Sequence, residues 1–260
     1  MRSLHVDTGK IWRGGQRQCN LLCRRLAKWG HETHLVCQPG SPLWQRAVET
    51  GLVLHPLRAA GETDPLAILK LARLLRRIGP ELAAAHDAHG LGLLALARPL
   101  SGIAVPLVCH RRVDVRVARW PGSGWKMRRA SMLICVSRRI ADILEQCGLT
   151  RERIRVVHSG APGIQPAREA RTKLLPALGL EPDCTVLATV GGLIPHKGHR
   201  VLLEALRQLE LARTSHQSPA TSAQLHLVMI GDGPLRGQLR RQAAQAGLTA
   251  RVHFLGDRED

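Results

Sequence analysis

The sequence predicts an α/β protein with parallel, doubly wound sheets. Two observations carry the prediction. Short apolar runs alternate with amphipathic stretches from Leu4 to Leu255, the pattern of strands joined by crossover helices. Polar and glycine clusters fall where the apolar runs stop, at Gly14-Gly15, His86-Asp87-His89, His110-Arg111-Arg112, Ser137 and His158-Ser159-Gly160. Ligands of such sheets bind beyond the carboxyl ends of the strands.

Taken in order, Leu4 to Val6 reads as the first strand, followed by a loop holding Gly14-Gly15. A helix from about Arg17 to Trp29 places Leu21, Leu22 and Leu26 inward, and Gly30 stops it. Thr33 to Cys37 is the next strand. A short helix ends at Gly51, and Leu52 to Leu57 returns as a strand. Pro65 opens a helix to Ile78, with proline in the first turn and Gly79-Pro80 past the end. Leu82–Ala85, Val105–Val108, Met132–Val136 and Ile154–Val157 are strands. Between them lie a helix over Leu91–Leu100, a non-periodic loop over 115–124, a helical turn at Trp125–Ala130, and a helix capped by Ser137 and stopped by Gly148.

Residues 1–160 therefore form one domain and 161–183 a proline-bearing linker with one short helix near Arg171–Leu178. Residues 184–260 begin a second domain. It opens on Val186–Val190, an apolar run read as a buried strand, followed by Gly191-Gly192, Lys197-Gly198 and a helix. Val201, Leu202, Ala205, Leu206 and Leu209 would form the buried stripe of that helix. Backbone N–H groups and the positive helix end favour an anion there, and Lys197 adds a point charge. An ordinary βα turn with a surface lysine is the competing reading. Residues 214–224 read as a mobile Ser/Thr/Ala-rich loop, followed by a strand at Leu225–Ile230, the turn Gly231-Asp232-Gly233-Pro234, a helix at Leu235–Ala246 and a strand at Val252–Leu255. Three strands are fewer than a doubly wound half needs to cover both faces, so this domain is expected to be incomplete. There is no internal repeat.

Composition narrows the function classes. With 44% hydrophobic residues a substantial core is available, while the single Phe and absent Tyr exclude an aromatic platform for single-stranded nucleic acid. The formal charge of +18 favours anionic partners: nucleotides, phosphorylated lipids, an anionic membrane surface or nucleic acid. The seven cysteines are scattered, as expected for reduced thiols in a cytosolic protein. Cys19 and Cys23 stand at helical spacing but lack further convergent ligands, and His86-Asp87-His89 reads as a polar strand-end loop, so no metal site is expected. No apolar run is long enough to span a bilayer, which leaves peripheral membrane contact.

These residues resemble the group 1, or family 4, glycosyltransferases of the GT-B fold, over almost the whole chain. The likeness is carried by Gly14-Gly15, His110-Arg111-Arg112-Val113-Asp114, Val136-Ser137, Val157-His158-Ser159-Gly160, the element from Val190 to His199, Leu227 to Leu235, and Val252 to Gly256. The resemblance implies two Rossmann-like domains, the first for the acceptor and the second for a sugar nucleotide. It implies glycosyl transfer with retention and without a metal or other cofactor. Gly191, Gly192, Lys197, Gly198, Gly231 and Gly233 would then bind the donor phosphates. Gly14, Gly15, Arg111 and Arg112 would lie on the acceptor side, and His110 would act at the reacting centre. Two departures stand out: Gly192 replaces the arginine usual in the family, and a glutamate-bearing segment of the donor domain has no counterpart before Asp260. The expected acceptor is a cell-envelope or lipid-linked glycan such as lipopolysaccharide, met on the cytoplasmic face of the membrane. The alternatives are an inactive truncated relative and, last, a basic nucleic-acid-binding protein. No specific nucleic-acid partner is expected, because no recognition signature is present.

Overall fold

The computed structural model describes residues 1–114, 124–161, 163, 170–215 and 224–258. The chain divides into two compact units, Met1–Pro162 and Gly163–Asp260.

The first unit is a seven-stranded sheet in the order β3-β2-β1-β4-β5-β6-β7. Its strands are β1 (Arg2–Asp7), β2 (Glu32–Cys37), β3 (Val53–Pro56), β4 (Leu82–Ala85), β5 (Leu107–Arg111), β6 (Met132–Cys135) and β7 (Ile154–Val156). Every pairing is parallel. The strand order reverses between β1 and β4, and the crevice beyond their carboxyl ends is where doubly wound sheets hold ligands.

Helices α1 (Gly14–Lys28), α2 (Pro42–Glu49), α3 (Pro65–Ile78), α4 (Ala88–Ser101), α5 (Gly124–Arg128) and α6 (Arg138–Gln146) connect the strands. Their ends follow local chemistry. The Asp64 carboxylate accepts from the Leu66 and Ala67 amides at the start of α3, Asp87 accepts from the Gly90 amide at α4, and Ser137 from the Ile140 amide at α6. Such caps each contribute about 1 kcal/mol. Gly79 ends α3 in the left-handed conformation at φ 56°. One face of the sheet is sealed by α3–α6 through a core that includes Leu4, Leu71, Leu75, Leu93, Leu107 and Leu144. On the other face α1 and α2 cover β2 through Cys19, Cys23, Leu35, Leu43 and Ala47. Beside α1 this face opens as a groove of about 1300 Å³, floored by Ala84, Val108, Ile134 and Val136.

Several expectations change here. Gly14-Gly15 are not loop residues but the first turn of α1. The helix buries Gln16, Cys19, Asn20 and Cys23 rather than Leu21, Leu22 and Leu26. Those leucines are half-buried along the open groove, because α1 turns its small thiol face to the sheet. His89 belongs to α4 rather than to a loop, and His110 and Arg111 lie within β5. The expected loop at 115–124 falls outside the described residues up to position 123, as does most of the loop expected over 214–224.

The second unit holds α7 (Ala170–Ala177) and a parallel three-stranded sheet in the order β10-β9-β8. Its strands are β8 (Thr185–Val190), β9 (Leu225–Ile230) and β10 (Val252–Gly256), crossed by α8 (His199–Ser215) and α9 (Arg236–Gln245). Leu203, Leu206, Leu227, Met229, Leu239 and Ala243 form its core. The run read as a buried strand is exposed: β8 is an edge strand, and Val190 is 78% accessible. The α8 stripe is also displaced. Leu203 and Leu206 are buried while Val201 and Leu209 are 72% and 49% exposed, because the helix settles on β9 and α9 through its Leu203 face.

Candidate functional site

Alternation along strands sorts the polar residues of the first unit. Ser3, His5 and Asp7 share one face of β1, and His110 and Arg112 share one face at the end of β5. Arg111 projects to the opposite face and is 8% exposed. The adjacent arginines expected to act together are therefore separated by the sheet, and only Arg112 joins His110.

At the carboxyl edge of β1, β4 and β5 these side chains converge. His5 Nδ1 lies 3.0 Å from His86 Nε2, and His5 Nε2 lies 3.1 Å from Ser3 Oγ. Arg112 donates to the His86 carbonyl at 3.1 Å and reaches His86 Nδ1 at 3.0 Å. The His110 ring stacks on His86 with centroids 4.4 Å apart and planes at 8°. Burial, with Arg112 and His5 nearby, pushes His110 down to about 3, and burial pushes His86 well below the ordinary histidine value. Both rings are neutral at physiological pH, so His110 offers a hydrogen-bonding imidazole and no acidic proton.

Asp7 is fully buried and accepts from the Gly9 amide and Gln16 Nε2, both at 2.9 Å. Burial first, and then the neighbouring Asp87, push its carboxyl up to about 6. Asp87 accepts from the Thr8 amide and, at 2.9 Å, from the Thr8 hydroxyl, so the loop after β1 is tied to the start of α4. Gly14 and Gly15 open α1 beyond this loop. Neither has positive φ, and a Cβ at either would meet nothing within 4 Å. The fold makes no demand for glycine there; what their absent side chains leave is room above uncapped helix amides. His158 donates from Nδ1 to the Val136 carbonyl at 3.0 Å, and Gln18 donates to the Gly160 carbonyl at 2.7 Å. His86 and Asp87 thus serve as a hydrogen-bonded ring and a helix cap. Among the described residues no group of three His, Cys, Asp or Glu side chains could hold a metal ion.

In the second unit two glycine turns pack against each other. The Gly191 amide donates to the Ile230 carbonyl at 2.9 Å, and Leu193 to the Asp232 carbonyl at 2.9 Å. Gly231, at φ 132°, passes so close to the Gly191 carbonyl that a Cβ would sit 2.8 Å from its carbon. A Cβ at Gly233 would lie 2.6 Å from the Leu193 oxygen. Glycine at 231 and 233 is therefore demanded by backbone contact between turns. Gly192 is exposed, Lys197 is exposed on a single 3-10 turn, and Gly198 takes φ 73° to start α8. Arg200, two residues past Gly198, pairs with Gln238 of α9.

Sequence reasoning passed over His199. It is 4% exposed, and its Nε2 donates to the Gly192 carbonyl at 3.1 Å, which fixes the glycine turn against the start of α8. Its position immediately after Lys197-Gly198 was the available signal.

The fold defines an α/β protein with one doubly wound parallel sheet and a second, small parallel sheet. Residues 12–162 match the family described as Glycosyltransferase Family 4, and residues 170–260 match Glycosyl transferases group 1. The chain belongs to glycosyltransferase family 4. It is 27% identical over 284 residues to EpsF of Bacillus subtilis strain 168, covering 99% of this chain and 69% of that protein. It is 25% identical over 263 residues to LpsE, a lipopolysaccharide core biosynthesis glycosyltransferase of Rhizobium meliloti strain 1021, covering 100% of this chain and 68% of that one. Among solved structures, Anabaena HepE in complex with UDP superposes with a TM-score of 0.76 at 20% identity, covering 100% of this chain and 70% of that one. That likeness extends the GT-B fold to this chain. Among the described residues, no helix is long and apolar enough to cross a membrane.

Proposed function

We propose that the chain takes part in glycosyl transfer from a nucleoside diphosphate sugar to a cell-envelope or lipid-linked glycan, with retention at the anomeric carbon. The observation that carries the reading is the neutral, stacked His110 beside the Arg112 guanidinium at the carboxyl edge of the first sheet. This is the acceptor side. In the reaction the bond from the anomeric carbon to the diphosphate breaks, and the diphosphate leaves with the electron pair. The acceptor oxygen bonds to that carbon and passes its proton to the departing diphosphate oxygen. His110 accepts a hydrogen bond from a substrate hydroxyl; with its basicity lowered it orients rather than deprotonates. The growing charge on the leaving diphosphate is met by Lys197, by the Gly192 amide and by the α8 start at Gly198. On the acceptor side, the amides opening α1 at Gly14-Gly15 are donors available to an anionic group of the acceptor. Cationic side chains and amides take the part a divalent metal would otherwise play, so neither a metal nor another cofactor is required.

Support for the donor comes from HepE, which has been solved with UDP and with UDP-glucose. Support for the acceptor class comes from relatives named for lipopolysaccharide core biosynthesis. The formal charge of +18 suits an anionic acceptor at the inner membrane face. The test is thermal unfolding and calorimetry with UDP and GDP in EDTA. Stabilisation by a nucleoside diphosphate, weakened at least tenfold by Lys197→Ala, is expected; absence of any shift at millimolar nucleotide overturns the reading. Proton NMR of the anomeric centre of any product reports retention or inversion.

A further inference from the structure

The hydrogen bonds at the carboxyl edge have only one possible order. Arginine donates and never accepts, so the His86 Nδ1 that meets Arg112 at 3.0 Å is an acceptor. The single proton of neutral His86 then sits on Nε2 and is donated to His5 Nδ1 at 3.0 Å. His5 in turn carries its proton on Nε2 and donates to Ser3 Oγ at 3.1 Å. Ser3, His5 and His86 are 0%, 1% and 4% exposed, so water does not compete for these bonds. The groups facing the chain are Cys23 from α1 beside His5, His110 stacked from β5, and Asp7 on the Arg112 side. Arg112 itself lines the open groove. It commits one N–H from each terminal nitrogen to His86. The remaining guanidinium donors make no further hydrogen bond among the described residues.

We propose that Ser3, His5 and His86 are positioning residues that lock the Arg112 guanidinium at the head of the groove, where its remaining donors bind an oxyanion of the phosphate class. This rests on the acceptor-side reading given above and deepens it, because it assigns the anionic group to Arg112 and the orientation of Arg112 to a buried tautomer order. A guanidinium held on two sides loses little freedom when it binds, which is the advantage of fixing it beforehand. The phosphate belongs either to the acceptor or to the departing nucleotide.

Two near-isosteric variants separate this role from a merely structural one. His86→Asn keeps an acceptor where Nδ1 stands and loses the link to His5. His86→Gln keeps a donor toward His5 and loses the acceptor for Arg112. In the full 260-residue chain, inorganic pyrophosphate titrated by calorimetry should bind His86→Asn about three- to tenfold more weakly than the unsubstituted protein, because Arg112 keeps its acceptor while the anchor through His5 and Ser3 is lost; binding at full strength would remove Ser3 and His5 from the proposal. His86→Gln and Arg112→Gln should each weaken binding at least tenfold. Two-bond proton–nitrogen correlation spectra should show the Nε2–H tautomer for both His5 and His86. A His86→Gln variant that binds pyrophosphate normally, or either ring protonated on Nδ1, overturns the proposal. Repeating the titration with UDP and with a phosphorylated sugar distinguishes the two phosphate sources by which one loses affinity in Arg112→Gln. If no nucleotide binds while the tautomers and pyrophosphate results stand, the glycosyl-transfer reading fails and the relay survives. If UDP binds through Lys197 while His86→Gln is silent, the reverse holds.

Discussion

Replacing Gly231 by alanine tests whether its glycine serves a ligand or the fold. The added Cβ would stand 2.8 Å from the Gly191 carbonyl carbon and closer still to its oxygen, with φ at 132°. The unfavourable dihedral costs about 1–3 kcal/mol, and forcing the two turns apart about another 1–3 kcal/mol. Roughly 4 kcal/mol is a large share of the roughly 5–15 kcal/mol that holds a domain of this size together. The chain's own chromophores make the assay selective. Its five tryptophans, at positions 12, 29, 44, 120 and 125, all precede residue 162, so fluorescence follows the first unit. Hydrogen exchange read by mass spectrometry follows β8 and β9. We expect the β8 and β9 amides to exchange on the order of a thousandfold faster in Gly231→Ala, with the tryptophan unfolding midpoint unchanged. Exchange within tenfold of the parent protein would refute the close-contact argument and return Gly231 to a ligand-binding role.

Asp7 gives a pH signature. Its pKa is higher in the fold, at about 6, than the ordinary 3.8. The native state therefore holds this proton more tightly than the unfolded chain does. The stabilisation is full below about pH 4 and is lost as pH rises through about 6, a span worth roughly 3 kcal/mol. Asp7→Asn should match the parent in urea unfolding at pH 4 and exceed it by up to that amount at pH 8; equal stability at both pH values contradicts the assignment. Gly15→Ala should stabilise α1 by about 0.5–1 kcal/mol, since no clash and no positive φ oppose it. The same change should weaken nucleotide or pyrophosphate binding if a phosphate approaches those amides; unchanged affinity would remove Gly15 from the site.

Much of the architecture was legible because helix ends are written locally. The helix Pro65–Ile78 is bounded as its proline and glycine indicate, and Ser137 caps α6. Elements that depend on distant partners were not legible. An apolar run such as Val186–Val190 reads the same at the centre of a sheet and at its edge, because burial depends on neighbours contributed by other segments. The placement of α1 was misread for a related reason: its leucines suggested a core face, while the sheet accepted the smaller thiols of Cys19 and Cys23. At the site, adjacency of Arg111 and Arg112 suggested cooperation that strand alternation forbids. The His5–His86 contact joins residues 81 positions apart. It arises only because β4 pairs with β1, a consequence of strand order that no local pattern records.

The outer side of β8 has a practical consequence for handling the protein. Along it, backbone donors and acceptors have no strand partner among the described residues, and Val190 and Leu187 are 78% and 40% accessible nearby. Such a margin is a template for strand pairing between molecules. At low ionic strength the +18 charge keeps copies apart. Added salt shortens that repulsion to a few ångströms, so concentrated, salty solutions are the conditions under which molecules will zip together along β8.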